Sequence, residues 1–181
     1  AWLPRLANER RAFFRKTFVD EATGKTICSW YDAERKGQLI DTQTSYALPL
    51  AFHVVDGDLQ KKMAAHLAAA IKTPMAGYPA YSLLTGFIGT AWISKALSDN
   101  GMSEEAYRLL QYEGYPSWLY PVKNGATTIW ERLNSYTVKD GFGENNSMNS
   151  FNHYSFGAVA SWMYNYSLGI CRDEKSPGFK H

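Results

Sequence analysis

Apolar residues recur at three- and four-residue intervals along most of this chain, the spacing that lines one face of an α-helix. Leu3, Leu6, Phe13, Phe14 and Phe18 predict an opening helix, with the basic run "NERRAFFRK" (8–16) as its solvated face. "KTICSWYDAERKGQ" (25–38) has no such period and leaves room for a short strand. Tyr46, Ala47, Leu50, Ala51 and Val54 resume the helical spacing, and Pro49 within it predicts a kink or a later start. "GDLQKKMAAHLAAAI" sets Leu59, Met63, Leu67 and Ala70 on one side, with Asp58 as the expected N-cap. Prolines and glycines make 73–86 a loop. A helix is expected through "FIGTAWISKALSDNG", closed by Gly101. "SEEAYRLLQYEG" starts another, with Ser103 as N-cap and Glu104 and Glu105 in its first turn. "YPSWLYPVKNGATTIWERLNS" begins as a loop and is expected to turn helical near Thr127. A long polar loop covers 136–150, and Val159, Trp162, Met163 and Tyr166 mark the last helix. The total is about six helices in series with no strand–helix alternation, an all-α chain of antiparallel hairpins.

Composition refines this picture. The 181 residues suit one domain, and 45% hydrophobic with 20% charged residues can bury a core. Aromatic content is 15%, including 6 Trp and 12 Tyr. That fits either a large aromatic core or a surface whose rings stack on sugars. The net charge of +2, from 19 basic and 17 acidic residues, argues against a nucleic-acid partner. No apolar run is long enough for a membrane span. Cys28 and Cys171 have no metal-ligand spacing, and a disulfide between them is possible but not implied, so the redox compartment and localisation stay open. No metal or cofactor motif is present. The chain opens in mid-pattern at "AWLPRLANERR", which reads as a piece of something longer.

Candidate chemistry centres on "ATTIWERLNS" (126–135), where Glu131 follows Trp130 in a stretch otherwise suited to burial. A carboxylate there is either a paired or exposed structural charge, or a reactive group. His153 sits between the polar loop and the last helix, with Asn149, Asn152 and Tyr154 around it. It reads as a cleft residue or as one that satisfies local backbone groups. With no GxSxG elbow, P-loop or GxGxxG, carboxylate chemistry in an aromatic setting remains, and glycoside hydrolysis has that character.

From about Asp41 to Gly169, and most of all in "TGFIGT", "YPSWLYPVKNGATTIWER" and "MNSFNHYSFGAV", the sequence resembles the bacterial α-L-rhamnosidases of glycoside hydrolase family 78. The resemblance is to the second half of their catalytic domain. It implies half of an (α/α)6 toroid over 1–181. "SPGFKH" resembles the passage into a following β-sandwich, placing the start of a linker at 173–181. It implies hydrolysis of a terminal α-L-rhamnosyl residue of a rhamnose-containing glycoside, with inversion and no cofactor. Glu131 would be the general base and His153 would line the rhamnose pocket, with Trp130 and Asn152 as flanking contributors. Leu133 stands where the family motif often has a second tryptophan. The general acid would come from the N-terminal half of the catalytic domain, outside this chain. A non-catalytic carbohydrate-binding or interaction fragment, and another toroidal glycosidase with a different sugar preference, are the alternatives.

Overall fold

The structure is a computed structural model that describes residues 2–29, 34–143, 147–173, 175, 176 and 178. It is mainly helical. α1 spans Trp2–Phe18 and runs into a small antiparallel sheet of β1 (Val19–Asp20), β2 (Lys25–Ile27) and β3 (Leu39–Ile40). Val19 pairs with Thr26, and Thr26 in turn with Ile40, so β2 is the central strand. The segment without helical period (25–38) therefore holds β2, and β3 begins directly after it. α1 forms as its apolar spacing predicts, yet none of its residues is fully buried. Its last turn rests on the body: Phe14 packs on Phe18 at 5.1 Å, and Arg15 reaches Glu21 and Asp56.

The core lies between α2 (Gln43–Ala51), α3 (Gly57–Lys72), α5 (Ile93–Asp99) and α6 (Ser103–Gln111). Tyr46, Met63, Leu67, Ile71, Ile93, Leu97 and Leu109 are fully buried there. Each such side chain contributes roughly 1.5–3 kcal/mol through apolar burial. Thr42 and Ser45 cap α2 reciprocally: the Ser45 N–H donates to Thr42 Oγ1 and the Thr42 N–H to Ser45 Oγ, both at 3.2 Å. Pro49 does not delay α2: the helix begins at Gln43, runs through the proline and ends two residues after it. The chain then turns through His53 at φ 51°, which shifts the core position from the expected Val54 to Val55.

Both expected N-caps move by one or two residues. Asp56 occupies the cap of α3, and Asp58 lies in its first turn beside Lys61 at 3.1 Å. Met102 occupies the cap of α6, because the same residue closes α5: its N–H donates to Leu97 O at 2.9 Å while the Gly101 N–H donates to Ser98 O at 3.1 Å. Gly101 takes the left-handed φ of 78° that this closure requires, as expected of it. The helix expected through 87–101 is split into α4 (Phe87–Thr90) and α5 at Trp92, whose ring packs on Phe52 at 4.6 Å. The stretch near Thr127 is not helical. A short α7 (Leu119–Lys123) precedes it, and 126–135 is an irregular loop held by bonds to a distant segment. The final helix is composite: a 3-10 turn at Ser155–Ala158, α8 at Val159–Trp162 and a π turn at Met163–Ser167. Val159 and Trp162 are buried while Met163 faces solvent, and Trp162 Nε1 donates to Ser98 Oγ at 2.9 Å. Cys28 and Cys171 are both free thiols. The linker expected at 173–181 falls largely outside the described residues. Among the described residues no helix is long and apolar enough to cross a membrane.

Two contacts between helices are open to direct test. A Cβ on Gly89 of α4 would lie 2.3 Å from Thr44 Oγ1 of α2 and 3.0 Å from both Thr44 carbons. The branched threonine has no rotamer that clears all three. Gly89→Ala should therefore cost about 1–3 kcal/mol by chemical denaturation, and adding Thr44→Ala should recover part of it. Lys72 of α3 pairs with Glu105 of α6, whose side chain is only 12% exposed. The hydrogen bond from Lys72 holds the Glu105 carboxyl below its ordinary value of 4.5. A depressed folded-state pKa stabilises the fold fully above the unfolded value, and the gain disappears as pH falls through the folded one. Glu105→Gln should thus lower the melting temperature at pH 7, with the difference from wild type closing on acidification well below pH 4.5.

Candidate functional site

Four stretches of chain meet around a cleft of about 400 Å³. One wall is 83–87, running into α4. Tyr78, Tyr115 and Pro116 form another, 131–134 a third, and Met148 and Phe156 close the end. The first wall has no regular secondary structure of its own, so its backbone groups need partners elsewhere. Gln43, 1% exposed in the first turn of α2, supplies them. Its amide Nε2 donates to Ser82 O at 2.9 Å and Ala70 O at 3.2 Å, and its Oε1 accepts from the Leu84 N–H at 2.8 Å. The Leu83 N–H donates to Pro116 O at 2.8 Å and ties this wall to the next. Tyr81, just before it, has a φ of 64°, a conformation that costs a non-glycine residue about 1–3 kcal/mol. It is held at both ends: its N–H donates to Ile71 O at 2.7 Å and its hydroxyl accepts from Arg108 at 2.9 Å.

The third wall carries Glu131. Segments 128–131 and 150–153 lie alongside each other in an irregular antiparallel ladder. The Glu131 N–H donates to Ser150 O at 2.9 Å, the His153 N–H donates to Ile129 O at 2.8 Å, and the Thr128 hydroxyl donates to Phe151 O. The ladder also involves the side chain: the Ser150 N–H donates to Glu131 Oε2 at 2.9 Å. Among the described residues no ion pair engages Glu131, and Oε1 takes no hydrogen bond. Glu131 is also the only carboxylate among the described residues that line the cleft. Leu133 lines it too, presenting an aliphatic surface.

His153 stands one ring behind the cleft. It stacks on Phe87, a cleft residue, at 4.7 Å between centroids and 22° between planes. Its Nδ1 accepts from the Ser155 N–H at 3.3 Å, so in the neutral ring the proton sits on Nε2. Trp130 is 6% exposed and packs edge-on to Phe151 at 5.2 Å. Its ring lines a separate cavity of about 40 Å³ behind the loop. Asn152 is exposed and its N–H donates to Ser150 Oγ at 3.2 Å. Asn149 does not serve His153; its amide donates to Ser135 O at 3.3 Å. Of the four residues singled out from the sequence, Glu131 lines the cleft directly and His153 joins it through the ladder and Phe87.

Sequence reasoning missed the parts that act through backbone. Ser150 lies within "MNSFNHYSFGAV", but its contribution is a main-chain N–H and C=O, which its residue type does not reveal. Gln43 reads as one polar residue before an apolar run. Tyr115 lies in "YPSWLYP", and its pairing with Tyr78 at 5.8 Å could not be read from spacing. Burial pushes the Tyr115 hydroxyl pKa up, so it remains a hydrogen-bond donor at neutral pH. Among the described residues no group of three or more His, Cys, Asp or Glu is placed to hold a metal ion.

The Gln43 clamp predicts a measurable defect. Gln43→Leu keeps approximate volume but strands two buried carbonyls and the Leu84 N–H. It should cost about 2–4 kcal/mol by urea denaturation and speed amide exchange selectively at Leu84.

Residues 4–167 match the family model described as the bacterial alpha-L-rhamnosidase 6 hairpin glycosidase domain. The chain is 42% identical over 139 residues to an alpha-L-rhamnosidase of Streptomyces avermitilis, a stretch that covers 77% of this chain and 13% of that relative. It therefore spans a small part of the length of the curated relative it matches. In structure it is similar to S. avermitilis alpha-L-rhamnosidase complexed with L-rhamnose, at TM-score 0.73 and 36% identity over 91% of this chain and 14% of that one. The native alpha-L-rhamnosidase of Aspergillus terreus superposes with TM-score 0.76 at 32% identity, covering 93% of this chain and 17% of that one.

Proposed function

This chain belongs to the bacterial α-L-rhamnosidase six-hairpin glycosidase family, and from that membership we propose that it forms part of an enzyme that removes terminal α-L-rhamnose from rhamnose-containing glycosides. The observation that supports this most directly is Glu131: a carboxylate on a cleft wall, fixed through one oxygen by the Ser150 N–H, with its other oxygen unoccupied by protein among the described residues.

The mechanism follows from that geometry. Inverting hydrolysis needs one carboxylate to take a proton from the attacking water and a carboxylic acid to protonate the departing oxygen, about 6.5–9.5 Å apart. Glu131 acts as the base. Oε2 stays bonded to Ser150, which orients the group, and Oε1 accepts from the water. The general acid comes from the preceding part of the catalytic domain, beyond this chain. His153 donates from Nε2 to a sugar hydroxyl, while its Nδ1 accepts from the Ser155 N–H. Trp130 supports the loop from behind, and Asn152 contributes at the exposed edge. Substrate specificity then rests on a cleft wall with Leu133 and Phe87 for apolar contact and Tyr115 as a donor.

A second reading, a carbohydrate-binding fragment without catalysis, draws on the fact that Glu131 is the only carboxylate among the described residues at the cleft. One experiment separates the two. Glu131→Gln preserves shape and can still accept from the Ser150 N–H. In the whole natural protein that carries this chain, it should reduce turnover of para-nitrophenyl α-L-rhamnoside by about 10²–10⁴-fold or more, with rhamnose binding by calorimetry unchanged. Unaltered turnover would remove Glu131 from the chemistry, and an inactive wild type that still binds rhamnose would favour the binding fragment.

A further inference from the structure

We infer that Phe87 is the positioning residue for the His153 imidazole, an inference that rests on the reading of His153 above as a donor to the sugar. The backbone of His153 is placed by its N–H, which donates to Ile129 O at 2.8 Å. The ring needs more, because the torsion onto a flat side chain is broad and backbone placement does not set it. The Ser155 N–H selects which nitrogen carries the proton. Its bond to Nδ1 is 3.3 Å, at the long end of the range, and tolerates rocking of the ring plane. A face contact removes that freedom. Phe87 lies 4.7 Å from the imidazole between centroids, with 22° between planes. Tyr154 covers the other face at 5.6 Å and 6°, but it is the next residue and moves with the same backbone. Phe87 comes from a different element, so it alone of the two refers the ring to the rest of the fold.

Phe87 suits that role because its own position is fixed from three sides. It opens α4, which packs so closely on α2 that Gly89 leaves no room for a Cβ beside Thr44. The turn leading into α4 is closed by two buried side chains: the Thr90 hydroxyl donates to Gly86 O at 3.0 Å and lies 2.7 Å from the Thr85 hydroxyl. The Phe87 ring packs edge-on to Phe156 at 5.3 Å, and the Phe156 carbonyl accepts from Trp118 Nε1 at 2.9 Å. The stack thus carries the position of α2 and α4 onto an imidazole whose backbone belongs to the ladder of 128–131 with 150–153. An aliphatic side chain of similar volume would fill the same space, but it has no flat face to hold the imidazole parallel. Phe87 also lines the cleft, so the test has to separate an effect through His153 from a direct one.

A double-mutant cycle does so, with L-rhamnose binding read by calorimetry in the whole natural protein that carries this chain. Free rhamnose has no glycosidic bond to cleave, so the measurement does not depend on Glu131. His153→Ala should weaken binding about tenfold and Phe87→Leu about fivefold. In the His153→Ala background, Phe87→Leu should cost less than about twofold more, because the group it positions is gone. Phe87→Tyr keeps the flat ring and should bind within about twofold of wild type. An undiminished loss from Phe87→Leu in the His153→Ala background would mean that Phe87 touches the sugar or holds the wall by itself, and would overturn the inference. Unchanged binding in Phe87→Leu, or a tyrosine variant as weak as the leucine one, would do the same. Phe87→Met takes the place of Phe87→Leu if circular dichroism shows the latter unfolded. Turnover of para-nitrophenyl α-L-rhamnoside keeps the two readings apart. If the wild type does not hydrolyse it, the assignment of Glu131 fails and the binding cycle still decides Phe87. Additive binding losses beside normal wild-type turnover reject Phe87 alone. If His153→Ala binds rhamnose as the wild type does, or the wild type binds none, the reading of His153 fails and the inference falls with it.

Discussion

The pairing of 128–131 with 150–153 is the constraint on which the candidate site depends. Neither segment is a helix or a strand, and each would leave main-chain groups unsatisfied alone. Together they exchange hydrogen bonds at Thr128, Ile129 and Glu131 on one side and Ser150, Phe151 and His153 on the other. Each bond has a modest net worth of about 0.5–1.5 kcal/mol. Their larger effect is registration. The carboxylate and the imidazole come from places well separated in the chain, and the ladder fixes one relative to the other. An aromatic cluster holds the ladder down: Trp130 meets Phe151 at 5.2 Å, Phe151 meets Phe142 at 5.6 Å and Phe142 meets Tyr136 at 5.3 Å.

That cluster also resolves the high aromatic content. Part of it is structural: Trp130, Phe151, Phe142 and Tyr136 pack edge to face in one cluster. Other rings, Tyr78, Phe87, Tyr115 and Phe156, line the cleft. The two readings open at the level of composition thus apply to different rings of the same chain. The choice depends on which ones the backbone exposes.

The helices were legible where periodicity had many repeats to work with. α1 and α3 follow their apolar spacing almost to the residue, and Gly101 closes α5 as a glycine at that position should. Boundaries fared less well because neighbouring elements share residues. Met102 ends one helix and begins the next, a double duty that displaces Ser103 from the cap. The stretch "TTIWERLNS" has helical spacing and no helix, because its donors and acceptors find partners in 149–153 and long-range bonds outweigh weak local propensity. Glu131 and His153 were legible as residues. Their relation was not, since it is made by main-chain atoms that every residue carries.

The bond from the Ser155 N–H to the imidazole has a further consequence. A neutral imidazole donates from the nitrogen that carries its proton and accepts at the other. Here one is committed to an amide that cannot give up its hydrogen, so the ring behaves as a fixed pointer with a single polar tip. Its direction is set at the first residue of the 3-10 turn, and any shift of that turn against the helices beneath it re-aims the tip. The composite helix at the end of the fold is therefore the sighting bar of the site as well as part of its packing.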